Sequence, residues 1–356
     1  MKGRRKVVSY KWSLQTRFEV EAKRKLRSRS KKAEHRFLDA ALIFGADFEP
    51  IGLMSGVLRN PALKEDYNAS TNALEAARPE QKTHLTALLN QALEIVISAG
   101  KLLITEWERI EGPRGQGDKA AVDVEIELLL REQLLELFPC DFWGEETGHC
   151  LTGNPWCWVV DPNDGTSDFL KGLKGSALSV GLLHKQTPVL GVVYAPITIE
   201  GVPDCIAWAE GLPKVLRNGQ PVTTKLHARV LSPDTYVMVS SAAVNKPEIN
   251  DELCKPGRFI AMPSIAYRLA KVAAGDGVCG VSLYPVAAHD IAAGHALLRG
   301  AGGVLLNERG EGISYVTEAN MQKASRRCFG GSVSACQTLI ARDWDRILLE
   351  NDQAGK

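Results

Sequence analysis

From Leu85 onward, apolar residues recur at helical spacing. Leu85, Leu88, Leu89, Ala92, Val96, Ala99 and Leu103 predict one long amphipathic helix. A stretch broken by glycine and proline, residues 112–117, interrupts it. A second helix is predicted behind that loop, with Val124, Leu128, Leu129, Leu135 and Phe138 as its apolar positions and Pro139 just past its end. The period then changes. Residues 156–160, 177–183 and 190–194 are β-rich runs bounded by turn residues, and Asn218-Gly219 is a tight-turn signal of the hairpin kind. After about Leu231 strands and helices alternate: strand 236–240, helix 264–274, strand 278–283, helix 290–299, strand 304–306 and a closing helix 332–349. Residues 37–82 show no sustained period and are read as loop and short helix.

Three divisions follow: a basic N-terminal extension over residues 1–82, an α+β half over 83–230, and an α/β half over 231–350. Composition agrees with a soluble globular chain. The 356 residues are 45% apolar and 24% charged, enough for a sizeable core and two domains. No apolar run approaches a membrane span, no signal-peptide core follows Met1, and a cytoplasmic protein is expected. Eight scattered cysteines without a C-x-x-C pair are read as free thiols. The net charge of +1 conceals an asymmetry, because residues 1–36 hold 14 Lys or Arg against 3 Glu. Such an arm is compatible with nucleic acid or another polyanion, or with a solvated extension that has no partner.

Candidate chemistry sits after the apolar run 156–160, at Asp161-Pro162-Asn163-Asp164-Gly165-Thr166. Two carboxylates offer hard oxygen ligands to a divalent cation such as Mg2+. Gly165 and Thr166 open a helix whose free N–H groups favour a phosphate. The same string also reads as an ordinary strand-to-helix turn. Glu145 lies sixteen positions upstream in Gly144-Glu145-Glu146, Asp290 opens a small-residue helix far downstream, and Asp123 stands near the start of the second helix. Asp123 and Asp290 have helix capping as an alternative role.

In these three motifs and their order, G-E-E, D-P-N-D-G-T and H-D-I-A-A-G, the chain resembles the inositol monophosphatase family of Mg2+-dependent, lithium-sensitive phosphatases. The resemblance covers roughly residues 83–345 and implies a layered α-β-α-β-α sandwich, an α+β half followed by an α/β half. It implies two Mg2+ ions and a third, weaker site. Glu145, Asp161 and the main-chain carbonyl of Asn163 would hold the first ion; Asp161, Asp164 and Asp290 would hold the second. Thr166 and Glu145 would hold the attacking water, Asp123 would fix the threonine hydroxyl, and the N–H groups of Gly165 and Thr166 would bind phosphate.

Departures from the family pattern bear on substrate. His289 replaces the usual Trp, Arg114 replaces a loop lysine near the third metal site, and Leu283 stands where inositol-selective members carry a glutamate. Phe169-Leu170-Lys171 and Tyr194-Ala195-Pro196 look more like the branch that hydrolyses 3′(2′),5′-bisphosphate nucleotides, with Lys171 placed to meet a second phosphate. A small phosphorylated metabolite is the expected partner, a bisphosphate nucleotide the favoured one, and a homodimer is compatible with the resemblance. Inositol phosphate, a sugar bisphosphate and histidinol phosphate are alternatives, as is a degenerate, ligand-binding member. His149, His289 and His295 lie near the motifs but are not needed as bases beside metal-activated water.

Overall fold

Two sheets separated by helices build the body that carries the motifs. The computed structural model describes residues 61–349, with side chains from His84 to Ile347. The chain divides into two compact units, residues 1–77 and 78–356, and the motifs all lie in the second. The basic arm falls outside the described residues.

The first predicted helix is α1 (Pro61–Trp107), which begins before the anticipated start. Its stripe Leu85, Leu89, Ala92, Val96, Ala99 and Leu103 is at most 4% exposed. The segment His84–Trp107 has a mean hydropathy of 1.5 and a length that would suffice for a membrane span, which corrects the reading that no run approaches one. Core helices meet the same criterion, and this stripe is buried within the protein. A two-strand hairpin, β1 (Gly115–Gln116) and β2 (Lys119–Ala120), leads into α2 (Ala121–Leu137). Here the predicted face is corrected. Val122, Asp123, Ile126, Glu127, Leu130 and Leu134 are buried, whereas Val124 and Leu128 are exposed. Helix orientation is decided by which stripe finds partners, and two carboxylates on this one find hydrogen-bond donors.

The next strands are β3 (Asp141–Gly144), β4 (His149–Cys150) and the fully buried β5 (Trp156–Asp164). Short α3 (Thr166–Leu170) follows, then β6 (Ala177–His184), β7 (Thr187–Ala195), β8 (Asp204–Ala209), β9 (Leu216–Arg217) and β10 (Gln220–Pro221). They form one eight-stranded sheet in the order β10-β9-β8-β7-β6-β5-β3-β4. The β3–β5 pair is parallel and the others antiparallel. Asn218 and Gly219, both at positive φ, make the β9–β10 turn as expected.

The second half contains β11 (Tyr236–Ser240), α4 (Pro247–Cys254), β12 (Arg258–Met262), α5 (Ile265–Ala273), β13 (Cys279–Ser282) and α6 (Ala288–Gly300). It closes with β14 (Val304–Asn307), α7 (Glu318–Gln322), β15 (Cys328–Gly331), α8 (Val333–Ile340) and α9 (Asp345–Leu349). Strand order in this five-stranded sheet is β12-β11-β13-β15-β14. The predicted closing helix is two helices, because the chain turns at 341–344 to bury Trp344 and bond its Nε1 to Leu339 O. Helices α5 and α6 fill the space between the sheets, sharing one core with Val159, Val193 and Ile206 of the first sheet and Leu305 and Cys328 of the second. Ile249 and Leu253 of α4 and Ala335, Cys336 and Leu339 of α8 cover the far face of the second sheet. The result is the layered α-β-α-β-α sandwich.

Candidate active site

A one-residue irregularity in β5 creates the acidic centre. Along a regular strand Asp161 and Asp164 would point to opposite faces. Pairing with β6 matches Asp161 to Ser179 but Asp164 to Ala177, so β5 carries one extra residue between them. Such a bulge re-aims side chains. Asp161 and Asp164 consequently join Asp290 in one cluster, with a carboxylate oxygen from each within 4.8 Å of the others. Glu145 follows Gly144, the residue paired with Val160 in the parallel β3–β5 ladder, and its N–H bonds to Val160 O at 3.3 Å. Adjacent strand ends thus bring Glu145 beside Asp161.

Asp290 is the third residue of α6, not its N-cap, which is Ala287. Its Oδ2 accepts the Ala287 N–H at 2.5 Å, so the carboxylate both caps the helix and borders the cluster. Asp123 occupies the same place in α2. Its Oδ1 accepts from Asn163 Nδ2 and its Oδ2 lies beside Thr166 Oγ1, both at 3.0 Å. Thr166 Oγ1 is also 2.8 Å from Asn163 O. Gly165, with φ of +96°, is the N-cap of α3, and a side chain there would be strained and would crowd Ser264 N.

Electrostatically the cluster is strained towards protonation. Burial, then mutual repulsion, pushes Asp161 well above the usual carboxylate range. Burial raises Asp164 and Asp290 to about 6, and Asp123 also to about 6. Glu145 rises to about 8 through desolvation by the surrounding protein, although solvent reaches part of its side chain. Among the described residues, no Lys or Arg forms an ion pair with Asp161, Asp164 or Asp290. Arg268, buried behind them, favours their ionised forms from a distance, but its own N–H groups go to Ser264 O and Val281 O. Crowded oxygen donors without a basic partner are the donor set a hard divalent cation fits.

Packing accounts for His149 and His295, whereas His289 puts Nε2 3.7 Å from Asp290 Oδ1 and leaves its buried Nδ1 without a hydrogen-bond partner among the described residues. His149 stacks on Trp143 at 4.5 Å and meets Glu318 Oε1 at 3.1 Å. His295 Nδ1 is 3.1 Å from Tyr315 Oη, and burial holds both it and His289 down at about 4. Arg114 grips Glu106 through its side chain and its backbone N–H, at 2.6 Å in each case. Lys171 is 65% exposed and 4.0 Å from Asp168, whose other oxygen accepts from Ser241 at 2.6 Å. Leu283 packs on the core beneath the second sheet and lines a cavity of about 40 Å3 with Tyr284 and Val239.

Sequence reasoning missed Ser264 and Glu127. Ser264 Oγ and Ala266 N bond Asp164 Oδ2 at 2.5 and 2.6 Å. Glu127, fully buried, accepts from Glu146 N, Thr147 N and Thr147 Oγ1. The available signal for Glu127 was its place one turn after Asp123 on the same helix.

A layered sandwich that gathers crowded carboxylates beside the start of a short helix suits metal-dependent phosphoryl chemistry. Residues 84–346 match the model described as the inositol monophosphatase family, and the chain belongs to that family. An inositol-1-monophosphatase of Synechocystis is 29% identical over 237 residues, spanning 62% of this chain and 79% of that one. A fructose-1,6-bisphosphatase/inositol-1-monophosphatase of Aquifex aeolicus is 28% identical over 235 residues, 62% of this chain and 86% of that one. Among solved structures, 2′AMP-bound SaIMPase-II superposes with a TM-score of 0.57 at 22% identity, covering 75% of this chain and 99% of that one. The protein is a metal-dependent phosphoric monoester hydrolase acting on small phosphorylated substrates.

Proposed function

We propose that this phosphatase uses Mg2+ to hydrolyse a 3′(2′),5′-bisphosphate nucleotide. Glu145, Asp161, the Asn163 carbonyl, Asp164 and Asp290 would hold two Mg2+ ions, which when bound supply Lewis-acid stabilisation and a water activated at neutral pH. The pairing of Arg114 with Glu106 in the preceding loop favours two ions over three.

The chain's own residues do the orienting. Thr166 donates its one hydroxyl proton either to Asp123 or to Asn163 O, leaving its lone pairs to accept from the attacking water. Glu145, on the open side of the cluster, completes the hold on that water. The N–H groups of Gly165 and Thr166, which have no acceptor within their own helix, take phosphate oxygens.

The substrate choice rests on the resemblance, which puts Leu283 where inositol-selective members carry a glutamate; in the fold this side chain packs with the core on the far face of the second sheet. A ring hydroxyl of inositol would find no carboxylate there, and an unpaired polar group costs about 1–3 kcal/mol, or roughly tenfold or more in specificity. Lys171, exposed at the end of α3, is available to a second phosphate. The 2′AMP-bound neighbour adds a nucleotide to the ligands of this fold. A second reading, inositol 1-phosphate, is favoured by the names of the curated relatives.

The test compares kcat/KM for adenosine 3′,5′-bisphosphate and inositol 1-phosphate at equal Mg2+. The bisphosphate is expected to win, and Lys171→Ala to lower its kcat/KM alone. Preference for inositol 1-phosphate, or no effect of Lys171→Ala on the bisphosphate, would overturn this substrate and leave the phosphatase activity standing.

A further inference from the structure

Among the carboxylates near the site, Glu127 is fully buried yet stands outside the acidic cluster. Its surroundings show what it does. Oε2 accepts the Glu146 N–H at 2.9 Å; Oε1 accepts the Thr147 N–H at 2.6 Å and lies 2.5 Å from Thr147 Oγ1. These donors belong to the two residues that follow Glu145. The preceding two N–H groups are also fixed, Gly144 to Gly148 O at 3.2 Å and Glu145 to Val160 O at 3.3 Å. Every backbone N–H from Gly144 to Thr147 therefore has an acceptor, and half of them end on one carboxylate. Arg131, one turn further along α2, adds a bond to Thr147 Oγ1 at 3.1 Å. A β-carbon on Gly144 would collide with the Glu127 carboxylate, so the close packing of strand and helix depends on that glycine.

One turn before Glu127 on the same buried face stands Asp123, which bonds Asn163 and Thr166. Residues four apart on a helix are stacked neighbours about one 5.4 Å pitch apart. A single rigid helix thus grips the loop of Glu145 with one side chain and the start of α3 with the other.

We propose that Glu127 is a positioning residue that sets Glu145 against Thr166 and the metal cluster, with α2 as the ruler between them. This rests on the reading that Glu145 and Thr166 act together in the metal site. Loss of the Glu127 acceptors frees the turn 145–147, and the ligand oxygen of Glu145 no longer meets its ion in a fixed place.

Glu127→Gln tests it, because an amide keeps the shape but presents a donor to one of the backbone N–H groups. Mg2+ binding measured by calorimetry should weaken roughly 10–100-fold, the range for partners that orient metal ligands. The kcat at fixed Mg2+ should fall likewise, with KM for the phosphate ester little changed. Asp141→Asn is the control. Asp141 is also buried and also holds a turn, at Thr152, Gly153 and Asn154, but at the opposite end of β3. It should lower the melting temperature in EDTA and leave Mg2+ affinity alone. Should Glu127→Gln not fold, Thr147→Val removes the hydroxyl's bonds to Glu127 and Arg131, keeps both backbone N–H bonds to Glu127, and should weaken Mg2+ binding a few-fold. Mg2+ affinity and kcat within twofold of wild type, in whichever variant folds, would overturn the proposal. If Glu145→Gln also leaves Mg2+ binding intact, the reading of the metal site fails instead.

Discussion

Ser264 Oγ lies 2.5 Å from Asp164 Oδ2, a hydrogen bond that joins residues 100 apart in sequence. One partner ends β5 of the first sheet and the other is the N-cap of α5, where the chain leaves β12 of the second. The acidic centre is thereby assembled only when both halves of the fold have come together. Ser264 also accepts the Tyr267 N–H at 2.9 Å, so one side chain caps the helix and holds a carboxylate.

Replacing Ser264 with Ala should therefore cost about 1–2 kcal/mol of stability, from the lost cap and the lost bond to a buried carboxylate. Denaturant unfolding in EDTA measures this. Mg2+ activation should shift to higher concentration at the same time, since Asp164 keeps only the Ala266 N–H to orient it. An unchanged activation curve would separate Ser264 from the metal site.

Asp161→Asn should lower turnover more than about 100-fold, because this residue borders both proposed ion positions. Stability without metal should move the other way or stay level. Asp161 is repelled by Glu145, Asp164 and Asp290, and removing its charge relieves them. Thermal melting of wild type and variant in EDTA, beside an assay in Mg2+, reads both effects. A variant that melts well below wild type in EDTA would point to a structural role for the charge.

The pH dependence has a definite sign. Asp164 and Asp290 are raised to about 6 in the folded protein from an unfolded value near 3.8. The folded state therefore binds protons more tightly, and the associated stability is present below pH 3.8 and lost as pH rises through 6. Mg2+ held by these carboxylates, as proposed, would take the place of those protons. Stabilisation by Mg2+ over EDTA should be small at pH 5 and grow through pH 6 to 7, as read by paired melting curves. A Mg2+ increment independent of pH would contradict the clustered carboxylates.

Much of this protein was legible before folding was considered, because its signals are local. The Leu85-to-Leu103 stripe follows from helical spacing, the β9–β10 turn from Asn218-Gly219, and the run 156–160 from β-branched and aromatic residues. Glu145, Asp161, Asp164, Thr166 and Asp290 stand in short motifs of the kind the inositol monophosphatase family carries, so the resemblance brings them forward as candidates. What tertiary structure alone decided are matters of pairing. The bulge between Asp161 and Asp164 exists only in register with Ser179 and Ala177, and it turns two Asp onto one face. Periodicity placed Val124 and Leu128 inside, yet α2 buries the stripe whose Asp123 and Glu127 find donors 19 to 43 residues away. Ser264 was silent for the same reason: its partner is set by the packing of one sheet on another, and apolar periodicity carries no record of hydrogen bonds made across that distance.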